Sequence, residues 1–528
     1  MTKTPDKIKR LARFVAIVLM CLAIPVTAQA QTLVNVSGVV TDENNEPLIG
    51  ATVMVKGSTT GTSTDMDGKY SLKAPADATL LFSYVGYTPL TEKLNGRSVL
   101  NVTMAPDSQV MDELVVVGYG TQRRGSVTGS VASVKGTEML QTNSENPQNM
   151  LTGRIPGLRV WQKSSEPGAY QNNMDIRGLG APLVVIDGIP RTVEDFQRLN
   201  ANDIQDVSVL KDASAAIYGV RAANGVLLVT TKEGSKSKIN VSYSGSYTIQ
   251  KPNRMPRLAS AYDAMTIYNE QKWNNINGGS VGFSQADFEA LANGSRRTAN
   301  WNDLIIAKTA PQTQHDVSIS GGNERVQFYT SFGYFYQEGI FKSGDLNYDK
   351  FNVRANVTAQ ILRGLKFYAN LAGMSDKRNS PYTSSVDIIR NLWKQGVLYP
   401  AYADPDNTML NYEGLDLEQN TVAMMTSDIS GHRKYRQKTF ESSAYLNFDF
   451  GECIPALQGL QAKALMSYDY RIDNNEVYRK EYYQYAYDPL TDSYTQKIYN
   501  ASSPSNLRRE FYSKSQLLGQ LLLNYNLS

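Results

Sequence analysis

Histidine, cysteine and paired carboxylates are the residues from which a catalytic or metal centre is built, and this sequence spends few of them. Its only histidines, His315 and His432, sit beside Asp316 and Arg433 in polar stretches without a surrounding motif. Each reads as a solvated side chain rather than a general base. The cysteines, Cys21 and Cys453, are too few for a thiolate cluster. Asp65, Asp67 and Gly68 imitate the opening of a calcium loop, but the glutamate that closes such a loop is missing, which leaves an Asx-type hairpin turn. No glycine-plus-lysine phosphate loop occurs, and no GxGxxG leads from a strand into a helix. No catalytic residue, metal or cofactor is expected, and the chain does not read as an enzyme.

The remaining chemistry is that of the backbone. Asp112 and Glu113 precede Leu114, Val115, Val116 and Val117, and glycines at 118 and 120 then break the run. Four consecutive apolar residues, three of them β-branched, favour an extended strand. No hairpin partner is evident in the Gly/Ser-rich stretch that follows, so the strand extends the preceding module, enters the following one as an ordinary strand, or takes its neighbour from another protein.

The elements around it fall into modules. Lys3, Lys7, Lys9, Arg10 and Arg13 precede the apolar run Phe14–Val26, and Ala28-Gln29-Ala30 supplies small residues for cleavage: residues 1–30 read as an export signal. A lipoprotein signal at Cys21 is disfavoured by the bulky Met20 before it. Loss of these five cations together with Asp6 takes the net charge from +3 to −1, which removes any bias toward nucleic acid. Only Cys453 would remain, so no intrachain disulfide is available.

Residues 33–105 alternate short apolar strands with Asn, Gly and Pro turns, as in "PLIGATV" and "TSTDMDGKYSL", and predict a small antiparallel sandwich. Residues 119–235 are α+β in texture. "MDIRGLG", "PLVVIDGIPR" and "NGVLLVTTKEG" predict strands, "NDIQDVSVLKDASAAIYG" a strand followed by a short helix that Asp212 caps, and Asp187 in "VIDGIP" a turn-stabilising acid. From 238 onward, long segments alternate strictly. Val241, Tyr243 and Tyr247 share one parity, as do Val326, Phe328, Phe332 and Tyr334; Phe351, Val353 and Val357; and Phe440, Ala444 and Leu446. About eight such segments are legible. Their length, together with short turns alternating with connections as long as Ser375–Gln437 and a tyrosine count of 32 against 15 phenylalanines, fits tilted membrane strands with an apolar outside. The tyrosines are expected near strand ends, at the bilayer interface. A large secreted β-protein would share the period.

"DIQDVSVLKDASAAIYGVRAANGVLLVTTKEG" closely resembles the plug signature of the SusC/RagA family of TonB-dependent outer-membrane transporters, and "HDVSISGGNERVQFYTSFGYFYQEGIFKSGD" resembles the start of that family's barrel. The first module is similar to the carboxypeptidase-regulatory-like, or transthyretin-like, domain. The resemblance implies a mainly β fold: a sandwich at 33–105, a TonB box at 111–118, a plug at 119–235 and part of an antiparallel transmembrane β-barrel at 238–528. It assigns Asp112, Glu113, Leu114, Val115, Val116 and Val117 to TonB, which would add this strand to its own sheet. It also implies active import of an oligosaccharide or peptide through the outer membrane of a Gram-negative bacterium, with a SusD-like surface lipoprotein as lid and the N-terminal domain in the periplasm.

Two departures from the family pattern stand out. Gly180-Ala181-Pro182 directly joins segments that the family separates by a longer loop, and Val220 stands where the family tends to have Ser. Eight strands also fall short of the roughly twenty-two of a plugged transporter. The sequence therefore reads as the N-terminal half of one, with a truncated, non-transporting surface or binding remnant as the alternative.

Overall fold

The computed structural model describes residues 33–525 except 44–45, 59, 85–86, 106–113, 118–119, 124–130, 143, 171–172, 276–281 and 500–502. The export signal at 1–30, Asp112, Glu113 and Gly118 lie outside the described residues. By their internal contacts the residues fall into two units, the first running to Leu114 and the second taking in nearly everything after it.

The first unit is a sandwich of two sheets. One has the order Lys69–Pro75, Leu33–Thr41, Val102–Thr103; the other runs Gly61–Ser63, Thr52–Val55, Thr79–Ser83, Leu90–Lys93. Alternate residues of each strand point between the sheets, where Val36, Val40, Val53, Leu80 and Phe82 are completely buried. The sandwich is not wholly antiparallel as expected: Val40 and Thr41 pair in parallel with Val102 and Thr103, because the chain crosses between the sheets before it returns to the first. The Asp65 turn is of the Asx kind. The Asp65 carboxylate accepts from the backbone N–H of Asp67 (2.9 Å) and of Lys69 (2.8 Å), while Gly68 takes φ +71°.

The second unit begins with the plug. Its five-stranded sheet has the order Val131–Lys135, Ile204–Leu210, Val226–Thr231, Leu183–Ile186, Ile189–Arg191. The two apolar central strands have almost no polar side, and both of their faces are covered. Val134, Ile176, Ile186, Phe196, Val207 and Leu227 form the centre of a core drawn entirely from residues 134–229. The helix Val193–Arg198 starts with a capping box in which Thr192 and Asp195 satisfy each other's backbone N–H. Asp212 does not cap the next helix. Lys211 is still extended (φ −122°, ψ 151°) and occupies the cap position, so Asp212 is the first residue of a 3-10 helix running to Ala222.

The eight alternating segments form one antiparallel sheet in strict chain order: Asn240–Gln250, Ala310–Gly322, Val326–Glu338, Asn347–Leu362, Leu365–Pro381, Gly431–Asp449, Leu460–Arg479 and Asn506–Tyr525. The parity read from the sequence places one set of side chains on the face away from the plug. A single row crosses the sheet there, pairing Tyr243, Val317, Phe332, Val353, Gly373, Phe440 and Tyr470 in succession. The opposite parity faces the plug and is mostly polar.

Two expectations need correction. The connection predicted at 375–437 is shorter, because strands continue to Pro381 and restart at Gly431; beyond the bilayer a strand is free to be polar on both faces, which hides it from a period-two search. Nor do the tyrosines all sit at strand ends facing lipid. Tyr329, Tyr348, Tyr368 and Tyr445 share the parity of the plug-facing residues, and Tyr329 and Tyr348 are buried. There a hydroxyl finds polar partners that a hydrocarbon environment lacks.

At one end of the sheet the turns are short, at 323–325, 363–364 and 450–459. At the other, the connections at 251–309, 339–346, 382–430 and 480–505 are mostly long and pack on one another. Trp301, Ile305, Phe341, Ile388, Leu392 and Met424 form a core of their own above the wall. No helix among the described residues is long and apolar enough to cross a membrane.

Candidate functional site at the plug and wall interface

The plug meets the inner face of the wall through charge and hydrogen bonds. Register puts Glu441 and Asp469 directly opposite one another on neighbouring wall strands, a like-charge pair that is unfavourable by itself. Arg191, at the end of a plug strand, resolves it. Its Nε and Nη2 reach the Asp469 carboxylate at 3.0 and 3.1 Å, and its Nη1 lies 3.0 Å from Glu441. Burial works against the Arg191 charge, but these two carboxylates outweigh it and hold the guanidinium above its ordinary range.

A second knot gathers around Arg198 in the last turn of Val193–Arg198. The guanidinium bonds Asp376 of the wall and Glu194 of its own helix (2.8 Å), and lies over the ring of Tyr170. Tyr170 and Tyr348 share a hydroxyl contact at 2.6 Å, and Tyr348 donates to Asp376 at 3.0 Å. Further along, Arg354 of the wall stands between Asp187 (3.7 Å) and Asp203 (3.5 Å) of the plug. Asn200 and Asn202 both donate to Asp316, at 2.6 and 2.7 Å. Arg378 bonds Glu166.

Asp187 does more than the turn role expected of it. It sits at φ +51°, a left-handed position that Asp tolerates better than most residues, and its carboxylate accepts from both the backbone N–H and the hydroxyl of Thr231 (2.8 Å each). Neither histidine joins these groups. His315 lies on the outward face against the Tyr243 hydroxyl (2.8 Å), and His432 contacts Glu476 (3.0 Å). Among the described residues no group of three or more His, Cys, Asp or Glu is arranged to hold a metal ion.

The strand expected to serve an outside partner is present as Leu114–Val117. It pairs with Gly120–Arg123 in a separate two-stranded sheet, so its own chain fills the neighbour position that the sequence left vacant. A ribbon of two short strands is marginal alone.

Comparison with known proteins bears directly on this arrangement. A CarboxypepD_reg-like domain model matches residues 36–116, and the TonB-dependent Receptor Plug Domain matches residues 123–226. The TonB-dependent receptor SusC of Bacteroides thetaiotaomicron is 34 % identical over 359 residues, 65 % of this chain and 34 % of SusC. A TonB-dependent receptor of Formosa agariphila is 38 % identical over 341 residues, 63 % of this chain and 33 % of its own length. These matches support membership of the SusC/RagA family of TonB-dependent receptors. The matched stretches span about a third of the length of these two relatives. Among solved structures, the RagAB peptide importer in its open-open state superposes with a TM-score of 0.58 at 21 % identity, covering 78 % of this chain and 55 % of that one, which establishes the shared fold.

The residues that seat the plug were not singled out by sequence reasoning. Arg191 and Asp469 are 278 positions apart, and no local motif marks either. The available signal was a charged residue on the otherwise small or polar inward parity of a wall strand: Arg354, Asp376, Glu441 and Asp469 each break that pattern.

Proposed function

We propose that this receptor imports a large nutrient, an oligosaccharide or a peptide, across the outer membrane by TonB-dependent removal of its plug. One observation carries the reading. The plug's apolar core is wholly its own, while its attachment to the wall is made of ion pairs and hydrogen bonds. Such a body leaves its seat without exposing a hydrophobic core, and water takes over the polar contacts it gives up. Asp112, Glu113, Leu114, Val115, Val116 and Val117 are the handle. TonB captures the strand by β-augmentation in place of Gly120–Arg123, and a grip through backbone hydrogen bonds bears load along the strand. The N-terminal sandwich lies in the periplasm, the outward face of the wall meets outer-membrane lipid, and a SusD-like lipoprotein closes the outer side. The peptide cargo of the RagAB importer and the family of SusC support this class of activity for the whole receptor.

The test is deletion of residues 112–117 in cells that depend on the transporter. Uptake is expected to vanish while the amount of receptor in the outer membrane stays the same. Unchanged uptake would overturn the assignment.

A further inference from the structure

Not every charge at the plug and wall interface is matched. Glu145 belongs to the plug, just before the helix Pro147–Met150. Part of the residue reaches the surface, yet its Oε2 is buried and has no hydrogen-bond partner. It lines a void of about 10 Å3 together with Asn200, Gln314, Asp316 and Lys350, at or below what a single water needs. The charged groups that face Glu145 come from both sides. Arg198 and the Tyr170 hydroxyl belong to the plug; Lys350, Asp376 and Arg378 belong to the wall, and Asp316 closes the far side of the void. Lys350 spends its Nζ on the backbone carbonyl of Arg198 at 3.3 Å, and Arg198 is committed to Asp376 and Glu194.

We propose that Glu145 is a proton-binding site that couples seating of the plug to pH: the carboxyl holds a proton more tightly while the plug is seated and gives it up to water more readily when the plug leaves. The inference builds on the reading of the plug as a removable stopper, and adds that removal releases a proton. A protonated carboxyl is tolerated in a buried position without a partner far better than a carboxylate. Burial pushes the Glu145 carboxyl up to about 7, with Lys350 and Arg198 pulling it back. The sign follows from a seated-state value above the free one. Seating is favoured under acid conditions, and that advantage is lost as pH rises from the free carboxyl range through about 7. The plug is thus held more tightly at low pH and loosens at neutral and alkaline pH.

Hydrogen exchange of the full chain in lipid vesicles, without TonB, tests this. The amides of residues 146–151 are followed at pH 5.5 and 8.0 and corrected for the intrinsic rate. In the native receptor the opening is expected to be roughly thirtyfold more frequent at pH 8.0, the change that follows from a carboxyl raised to about 7 by seating. In Glu145→Gln the two pH values should give the same protection, at or above that of the native receptor at pH 5.5. A flat native profile would overturn the proposal whether or not the variant folds, and so would an undiminished slope in Glu145→Gln, which would assign the effect to Asp316 or Asp376. Because TonB is absent, neither result bears on the handle at 112–117, which stands or falls on the uptake experiment.

Discussion

At the scale of single residues, the interface turns on Arg191. Its side chain is only 6 % exposed, and it is the cation that lets Glu441 and Asp469 stand opposite each other on the wall. Arg191→Met removes that cation and leaves two partly buried carboxylates in repulsion. Breaking a buried pair from one side costs about 3–5 kcal/mol. The plug of Arg191→Met is expected to detach at a clearly lower urea concentration, with the wall transition unmoved. Adding Glu441→Gln and Asp469→Asn should recover much of the loss, because the uncompensated charge goes with them. If the single and triple variants behave alike, repulsion between the carboxylates is not what Arg191 relieves. The interface also shows why a site of this kind is hard to read in advance. Asp187 was visible as a turn residue because turn chemistry is local, whereas its approach to Arg354 depends on the register of a strand more than a hundred residues away. Parity is legible in a sequence, but which residue stands across from which is decided by turn lengths and bulges that composition does not encode.

At the scale of elements, period-two alternation gave the wall strands their faces correctly, since each turns a single parity toward the apolar side. It failed where that constraint lapses. The outer ends of Leu365–Pro381 and Gly431–Asp449 are polar on both faces, and the connections contain helices whose apolar residues serve a core assembled from four distant segments. Trp301 is at the centre of that core, completely buried, with its indole N–H bonded to the Gly396 carbonyl at 3.2 Å. Trp301→Ala should cost about 3–5 kcal/mol there. The expected outcome is protease cleavage within 382–430 and 480–505 while the wall strands stay protected. Equal protection of both would show the connections to be held from elsewhere. The strand proposed as the TonB handle should behave differently, because recognition through the backbone ignores most side-chain changes. Val116→Pro removes an N–H and is expected to reduce uptake more than tenfold, whereas Val116→Ile leaves it near the native level. Comparable uptake by the two variants would rule out β-augmentation at this segment.

At the scale of the whole molecule, the two faces of the wall separate a membrane protein from a soluble one. The row from Tyr243 through Phe332 to Tyr470 points away from the plug, and Phe332 remains 51 % exposed even though its neighbours Val317 and Val353 flank it on both sides. In water such a row is an aggregation surface; against hydrocarbon it is the favourable face. Lysine at Phe332 separates these environments. At the middle of a bilayer it costs about 2–4 kcal/mol, whereas on a water-facing sheet an exposed lysine is close to neutral. Leu417, 72 % exposed in the outer connections, is the matched control. When the full chain is refolded into lipid vesicles, Phe332→Lys should sharply lower the heat-modifiable folded fraction, and Leu417→Lys should leave it unchanged. Equal yields would mean that the row faces water, and the wall would then have no lipid to hold out and no stopper to need.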